Sequence, residues 1–171
     1  MIFDKELDFE NAVIQRLVDA GWVNHLTNQP EILRYKTEKN LIQNWADILY
    51  ENNNTIDRLN GKHLTSGEME QILEQVKSLR TPVNLNGFIN GKVVTIKRDN
   101  PDDKAHFGKE INLKIYDRQE IAGGQSRYQI AQQPVFPAKN KLLNSRRGDF
   151  MLLINGMPAI HVELKKSGIP V

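Results

Sequence analysis

Cysteine is absent from the 171 residues. That excludes a disulfide framework, thiolate metal sites and cysteine nucleophiles together, and it suits a reducing compartment, so a cytoplasmic location is expected. Long apolar runs are missing too. The longest strongly apolar stretch is Phe150 to Ile154, far short of the roughly 20 residues that span a bilayer, so no membrane association is expected. The chain opens on acidic residues, Asp4 and Glu6, with no apolar run behind them, unlike a secretory leader. There is no Walker A loop, no G-x-G-x-x-G, no H-E-x-x-H and no G-x-S-x-G. The four histidines, His25, His63, His106 and His161, are scattered without metal-ligand spacing. Nucleophilic hydrolysis through a Ser-His pair has no support.

What is present is enough for a packed core: 39% hydrophobic and 26% charged residues, in a length that suits one domain. The net charge of +2 says little, but its distribution says more. Between Glu120 and Asp149 no acidic residue occurs, while Arg127, Lys139, Lys141, Arg146 and Arg147 all fall there. A local basic segment of this kind is either a solvated loop or a surface for a polyanion such as nucleic acid.

The first half reads helical. Phe9, Val13, Leu17 and Ala20 recur at helical spacing, and Gly21 stands where a helix stops. Leu41, Ile42, Trp45, Ile48 and Leu49 make a second apolar face ahead of Asn52-Asn53-Asn54. Thr65 and Glu68 form a capping box for a third helix with Met69, Ile72, Leu73, Val76 and Leu79 inside, closed by Pro82. From Val83 the period changes. Lys92–Lys97, Glu110–Tyr116 and Tyr128–Ile130 show β-branched alternation, the last running toward Phe136 past Pro134. Two apolar segments, Asp149–Asn155 and Pro158–Lys166, are joined through Asn155-Gly156, a strong hairpin signal. The expected class is α/β or α+β, helices first and then an antiparallel or mixed sheet, in one domain over 1–171 (1–82 mostly helical, 83–171 sheet-rich).

The final hairpin carries the chemistry. Along its second strand His161, Glu163 and Lys165 share one face and Ile160, Val162 and Leu164 the other. The first strand is apolar on both faces, the mark of an interior strand. Asp149 at its start and Glu163 on its neighbour would bring two carboxylates and an ammonium to one sheet end. Two carboxylates suit Mg²⁺, which takes few protein ligands and keeps its waters. A nearby lysine can orient the attacking water, which makes this a phosphodiesterase constellation. Parity sets a condition. A clean two-residue turn would pair Asp149 with Val162 and send Asp149 and Glu163 to opposite faces, so the site requires an odd loop or a β-bulge near Asp149. Pattern alone does not decide, because E-x-K is expected about once by chance in a chain of this size. On pattern alone, an exposed strand face with cross-strand charge pairs is the more ordinary reading of Glu163 and Lys165.

Arg147-Gly148-Asp149, an apolar strand, Asn155-Gly156-x-Pro158 and a second strand ending Glu163-Leu164-Lys165-Lys166 resemble the nuclease domain at the N-terminus of type I restriction enzyme R subunits, which carry the PD-(D/E)xK fold. Asn86-Gly87-Phe88, Asp117, Tyr128 and Gln133 follow a similar order upstream, and the opening helix with Glu10 and Gly21-Trp22 resembles the family's first helix. The likeness is dense over residues 146–168.

The resemblance implies Asp149 and Glu163 as metal ligands and Lys165 as the water-positioning lysine. It implies Glu10 as the helical glutamate near the site, with Glu6 a rival for that place. Gly148 stands where the family usually has proline. Lys166, Arg146 and Arg147 would contact DNA phosphate, with Lys139 and Lys141 in the same basic segment. Mg²⁺, with Mn²⁺ as substitute, would be the cofactor. Double-stranded DNA and the methylation and specificity subunits would be the partners. A helix with Gln-x-x-x-Tyr and an ATP-driven motor follow in the family, so the chain is expected to be a piece of a longer subunit, with ATP used only by the motor. Two other readings stand beside it: a non-catalytic nuclease-fold scaffold that docks DNA or partner subunits, and a repair or resolvase nuclease of the same fold.

Overall fold

The opening helix forms where the sequence places it, but its buried face is rotated from the expected one. In a computed structural model, which describes residues 6–54, 59–91, 93–116, 126–137 and 146–165, helix α1 runs Glu6–Asp19 and buries Glu10 and Ile14. Val13, Leu17 and Val18 flank that face, while Ala20 is exposed. Gly21 takes φ +96° and Trp22 donates its N–H back to Leu17 O at 2.9 Å, so the helix stops at a left-handed glycine. The chain divides into two compact units, Met1–Leu41 with Ser126–Val171, and Ile42–Gln125. No helix among the described residues is long and apolar enough to cross a membrane.

The first unit is built on a mixed four-stranded sheet. Its strands are β1 (Glu31–Arg34), β4 (Tyr128–Gln132), β7 (Phe150–Ile154) and β8 (Met157–Val162), in the order β1-β4-β7-β8. β1 runs parallel to β4, and β4 and β8 are both antiparallel to β7. β7 is interior, as its two apolar faces imply. Phe150 and Leu152 join Ile130 and Ile14 on the α1 face, and Met151 and Leu153 join Ala131 and Leu41 on the other. A two-residue ladder, β5 (Val135–Phe136) with β6 (Arg146–Arg147), completes the unit. β1 adds a strand to a first half that otherwise reads mostly helical. Four residues after Pro30 are too few to show a period, and this strand exists because β4 offers it a partner.

The second unit holds most of α2 (Glu38–Asn53), α3 (Ser66–Lys77), α4 (Pro82–Ile89) and the hairpin β2 (Val93–Lys97) with β3 (Glu110–Lys114). The Thr65–Glu68 capping box is present on both sides. α4 is a correction: Pro82 does not merely close α3 but stands in the first turn of a new helix capped by Thr81, where proline's missing N–H costs nothing. At the centre, the fully buried Arg98 guanidinium meets Glu68 at 2.6 Å and Asp103 at 2.9 Å. It also donates to the carbonyls of Leu59, Lys62 and His63.

Candidate functional site

The hairpin geometry decides whether the acidic residues can meet. Asn155 (φ +51°) and Gly156 (φ +81°) form the two-residue turn, with both left-handed as a type I′ turn requires. Ile154 faces Met157 and Leu153 faces Pro158, but Leu152 faces Ile160. Ala159 is therefore an extra residue, a β-bulge midway along β8 rather than beside Asp149. From there Met151 faces His161 and Phe150 faces Val162. One step further along the same register sets Asp149 level with Glu163. The Leu164 N–H donates to Asp149 Oδ2, so the strand end carrying Glu163 is tied to the Asp149 carboxylate.

Glu163 lies against His161, with Oε1 3.1 Å from Nε2, and both side chains are about half exposed. Gly148 packs beneath this pair. A Cβ on it would stand 2.9 Å from His161 Nε2 and 3.5 Å from Glu163 Oε1. That crowding explains a small residue at this point of the chain. Its N–H donates to Pro134 O at 3.1 Å. Lys165 is exposed, two residues past Glu163.

Glu10 projects from α1 toward the end of β4. It is 2% exposed, whereas Glu6 lies open to solvent. Gln132 Nε2 donates to its Oε1 at 2.9 Å and Gln133 Nε2 to its Oε2 at 3.2 Å. Gln133 takes φ +48°, and its backbone N–H donates to Asp149 O at 2.7 Å. Glu10 is thus coupled to the Asp149 backbone through one kinked glutamine. Gln132 and His161 are the neighbours that reading the sequence did not assign. A Gln-Gln pair at a strand end ahead of Pro134 was the visible signal for the first, and the shared face with Glu163 for the second.

Arg147 is exposed, with its guanidinium carbon 5.7 Å from the Tyr35 ring centroid. Arg146 lies in β6, paired with Phe136. Lys139, Lys141, Lys166 and Asp117 lie outside the described residues. Among the described residues no three of His, Asp or Glu gather closely enough to hold a metal ion, so any cation here would rest on fewer protein ligands.

The first unit is of the α+β class, a mixed four-stranded sheet packed against α1, with Asp149 and Glu163 at one end of its terminal hairpin. The profile of the type I restriction enzyme R protein N terminus matches residues 4–171, and the chain belongs to that family. The match bears out the resemblance carried by Arg147-Gly148-Asp149 and Glu163-x-Lys165. The chain is 28% identical over 171 residues to a type I restriction enzyme endonuclease subunit of Staphylococcus saprophyticus subsp. saprophyticus. It is 26% identical over 175 residues to type I restriction enzyme endonuclease subunits of Staphylococcus aureus strains COL and MRSA252. These alignments cover 100% of this chain and 16% of each relative.

Proposed function

We propose that this chain is a Mg²⁺-dependent nuclease domain of the PD-(D/E)xK type, which hydrolyses DNA phosphodiester bonds as part of a type I restriction R subunit. The observation that supports it most is the Ala159 bulge, without which Asp149 and Glu163 would point to opposite sides of the sheet. The donor set fits a hard cation, being carboxylate oxygens with no soft ligand. Mg²⁺ takes one or two carboxylates and completes its shell with water and phosphate oxygens, so a pair such as Asp149 and Glu163 suffices to hold it, with Mn²⁺ as a substitute. The bound ion would supply an acidified water and charge neutralisation at phosphorus.

The chain's own residues do the rest. The Leu164 N–H orients the Asp149 carboxylate, and Gln133 holds the Asp149 carbonyl while it donates to Glu10. Glu10, which touches both glutamines, is on this reading a positioning residue. Lys165 is the cation that orients the attacking water. Arg147, with Arg146, Lys139, Lys141 and Lys166, is proposed to bind backbone phosphates, contacts that place DNA without reading its sequence. The methylation and specificity subunits, and an ATP-driven motor in the remainder of the subunit, would then choose and deliver the DNA.

Titration calorimetry with Mn²⁺ at neutral pH, on this chain and its Asp149→Ala variant, tests the reading. Binding in the parent that is lost in the variant is expected, together with Mg²⁺-dependent nicking of plasmid DNA that Glu163→Gln abolishes. Equal Mn²⁺ binding by parent and variant would overturn it, and DNA affinity that persists in Asp149→Ala without nicking by either protein would point to the scaffold.

A further inference from the structure

Tyr35 follows β1 with φ +54°, a left-handed conformation that a bulky L-residue rarely adopts. The kink is clamped on both sides. Tyr35 N–H donates to Gln132 O at 3.0 Å, and Val135 N–H donates to Lys36 O at 2.9 Å. Instead of folding inward, the ring is left 55% exposed. Pairing of β5 with β6 sets Arg147 opposite Val135, which brings its guanidinium over this ring. Beside them opens a cavity of about 340 Å³ whose lining includes Tyr35, Arg34, Asn11, Gln15 and Gln132. Gln132 is also the residue that donates to Glu10 Oε1, so the cavity and the acidic network share a wall.

A strained backbone that holds an aromatic ring out toward water points to a partner with a flat face. Here the Arg147 guanidinium lies over the ring, and beside it opens a recess of ligand size lined by Arg34 and by amide side chains. An unpaired nucleotide has the matching chemistry: a base to stack on the ring, edges for amides to hydrogen-bond, and a phosphate for a guanidinium. Bases within an intact duplex are already stacked on each other and offer no such face. We infer that Tyr35, with Arg147 and Arg34, is a stacking platform for an unpaired nucleotide. The platform therefore engages DNA at a frayed or single-stranded segment, beside the Gln132–Glu10 pair. The inference rests on the nuclease reading only in taking the polymer to be DNA.

Tyr35→Gly is the informative variant, because glycine adopts the φ of this position without strain while removing the ring. Fluorescence anisotropy with a labelled oligothymidylate and a hairpin duplex of equal length, in EDTA at fixed salt, measures the platform apart from metal binding and cleavage. The expected result is tighter binding of the single strand by the parent and a loss of about tenfold in Tyr35→Gly, the scale of one base–aromatic stack. Tyr35→Trp retains the affinity, and Arg147→Ala weakens binding and flattens its salt dependence. Equal affinity of parent and Tyr35→Gly for the single strand overturns the proposal, as does equal affinity of the parent for both DNAs. Either failure leaves Mn²⁺ binding at Asp149 unaffected, and loss of that binding leaves the anisotropy result intact.

Discussion

Gly148 shows how much of the site is settled by single atoms. Its backbone N–H is bonded to Pro134 O, and the space a Cβ would need is taken by the far end of the His161 ring. A proline there would lose that hydrogen bond and press on His161 as well. Gly148→Pro is expected to destabilise the protein by about 1–3 kcal/mol in urea unfolding. Gly148→Ala keeps the N–H and displaces only a half-exposed side chain, so its cost should stay below about 1 kcal/mol. Glu10 carries a related lesson. Read along the helix it belongs to either the solvent face or the site; the two glutamines that donate to its carboxylate hold it buried, off the solvent face.

At the scale of elements, the terminal hairpin depends on one inserted residue. The bulge at Ala159 sets Val162 and Leu164 against the cluster of Ile14, Ile130, Phe150 and Leu152, and the same step brings Glu163 level with Asp149. Deleting Ala159 restores a clean two-residue hairpin and reverses the faces of every residue beyond it. The deletion is expected to cost at least ~2 kcal/mol in unfolding experiments, since two apolar side chains leave their cluster, and to abolish Mn²⁺ binding. Ala159→Gly keeps the length and should retain both. Full Mn²⁺ affinity in the deletion variant would show that the bulge does not create the site.

For the molecule as a whole, a loss of stability in acid is written into the second unit. Burial by itself pushes the Asp103 carboxyl up, but hydrogen bonds from Arg98, Asn60 and His106 outweigh it, and its pKa lies below the ordinary 3.8. A carboxyl whose folded pKa is lowered contributes stability that is fully present above its unfolded pKa and is lost as pH falls through the folded value. The chain is therefore expected to hold its urea midpoint down to about pH 4 and to lose it below that. Asp103→Asn, which keeps the shape but not the charge, should lower the midpoint at pH 6 and flatten its decline between about pH 4 and 2. An unchanged slope would mean that other carboxylates dominate the acid limb.

Much of this protein was determined locally and could be read along the chain. The capping box at Thr65–Glu68, the helical stop at Gly21, the Asn155-Gly156 turn and the two-faced apolar strand β7 follow from side-chain chemistry within a few residues. The family followed from an ordered run of residues, and the parity of the hairpin even stated what the site required. Tertiary structure alone decided the remainder. β1 exists because β4 supplies a parallel partner across almost a hundred residues. The Ala159 bulge turns Val162 and Leu164 onto the α1 face, against Ile14, Phe150 and Leu152. Glu10, Gln133 and Asp149 are joined, and Tyr35 is turned outward, by hydrogen bonds between segments far apart in sequence. A propensity records the preferences of one stretch of chain, whereas these features are set by the free energy of surfaces that meet only once the sheet has formed.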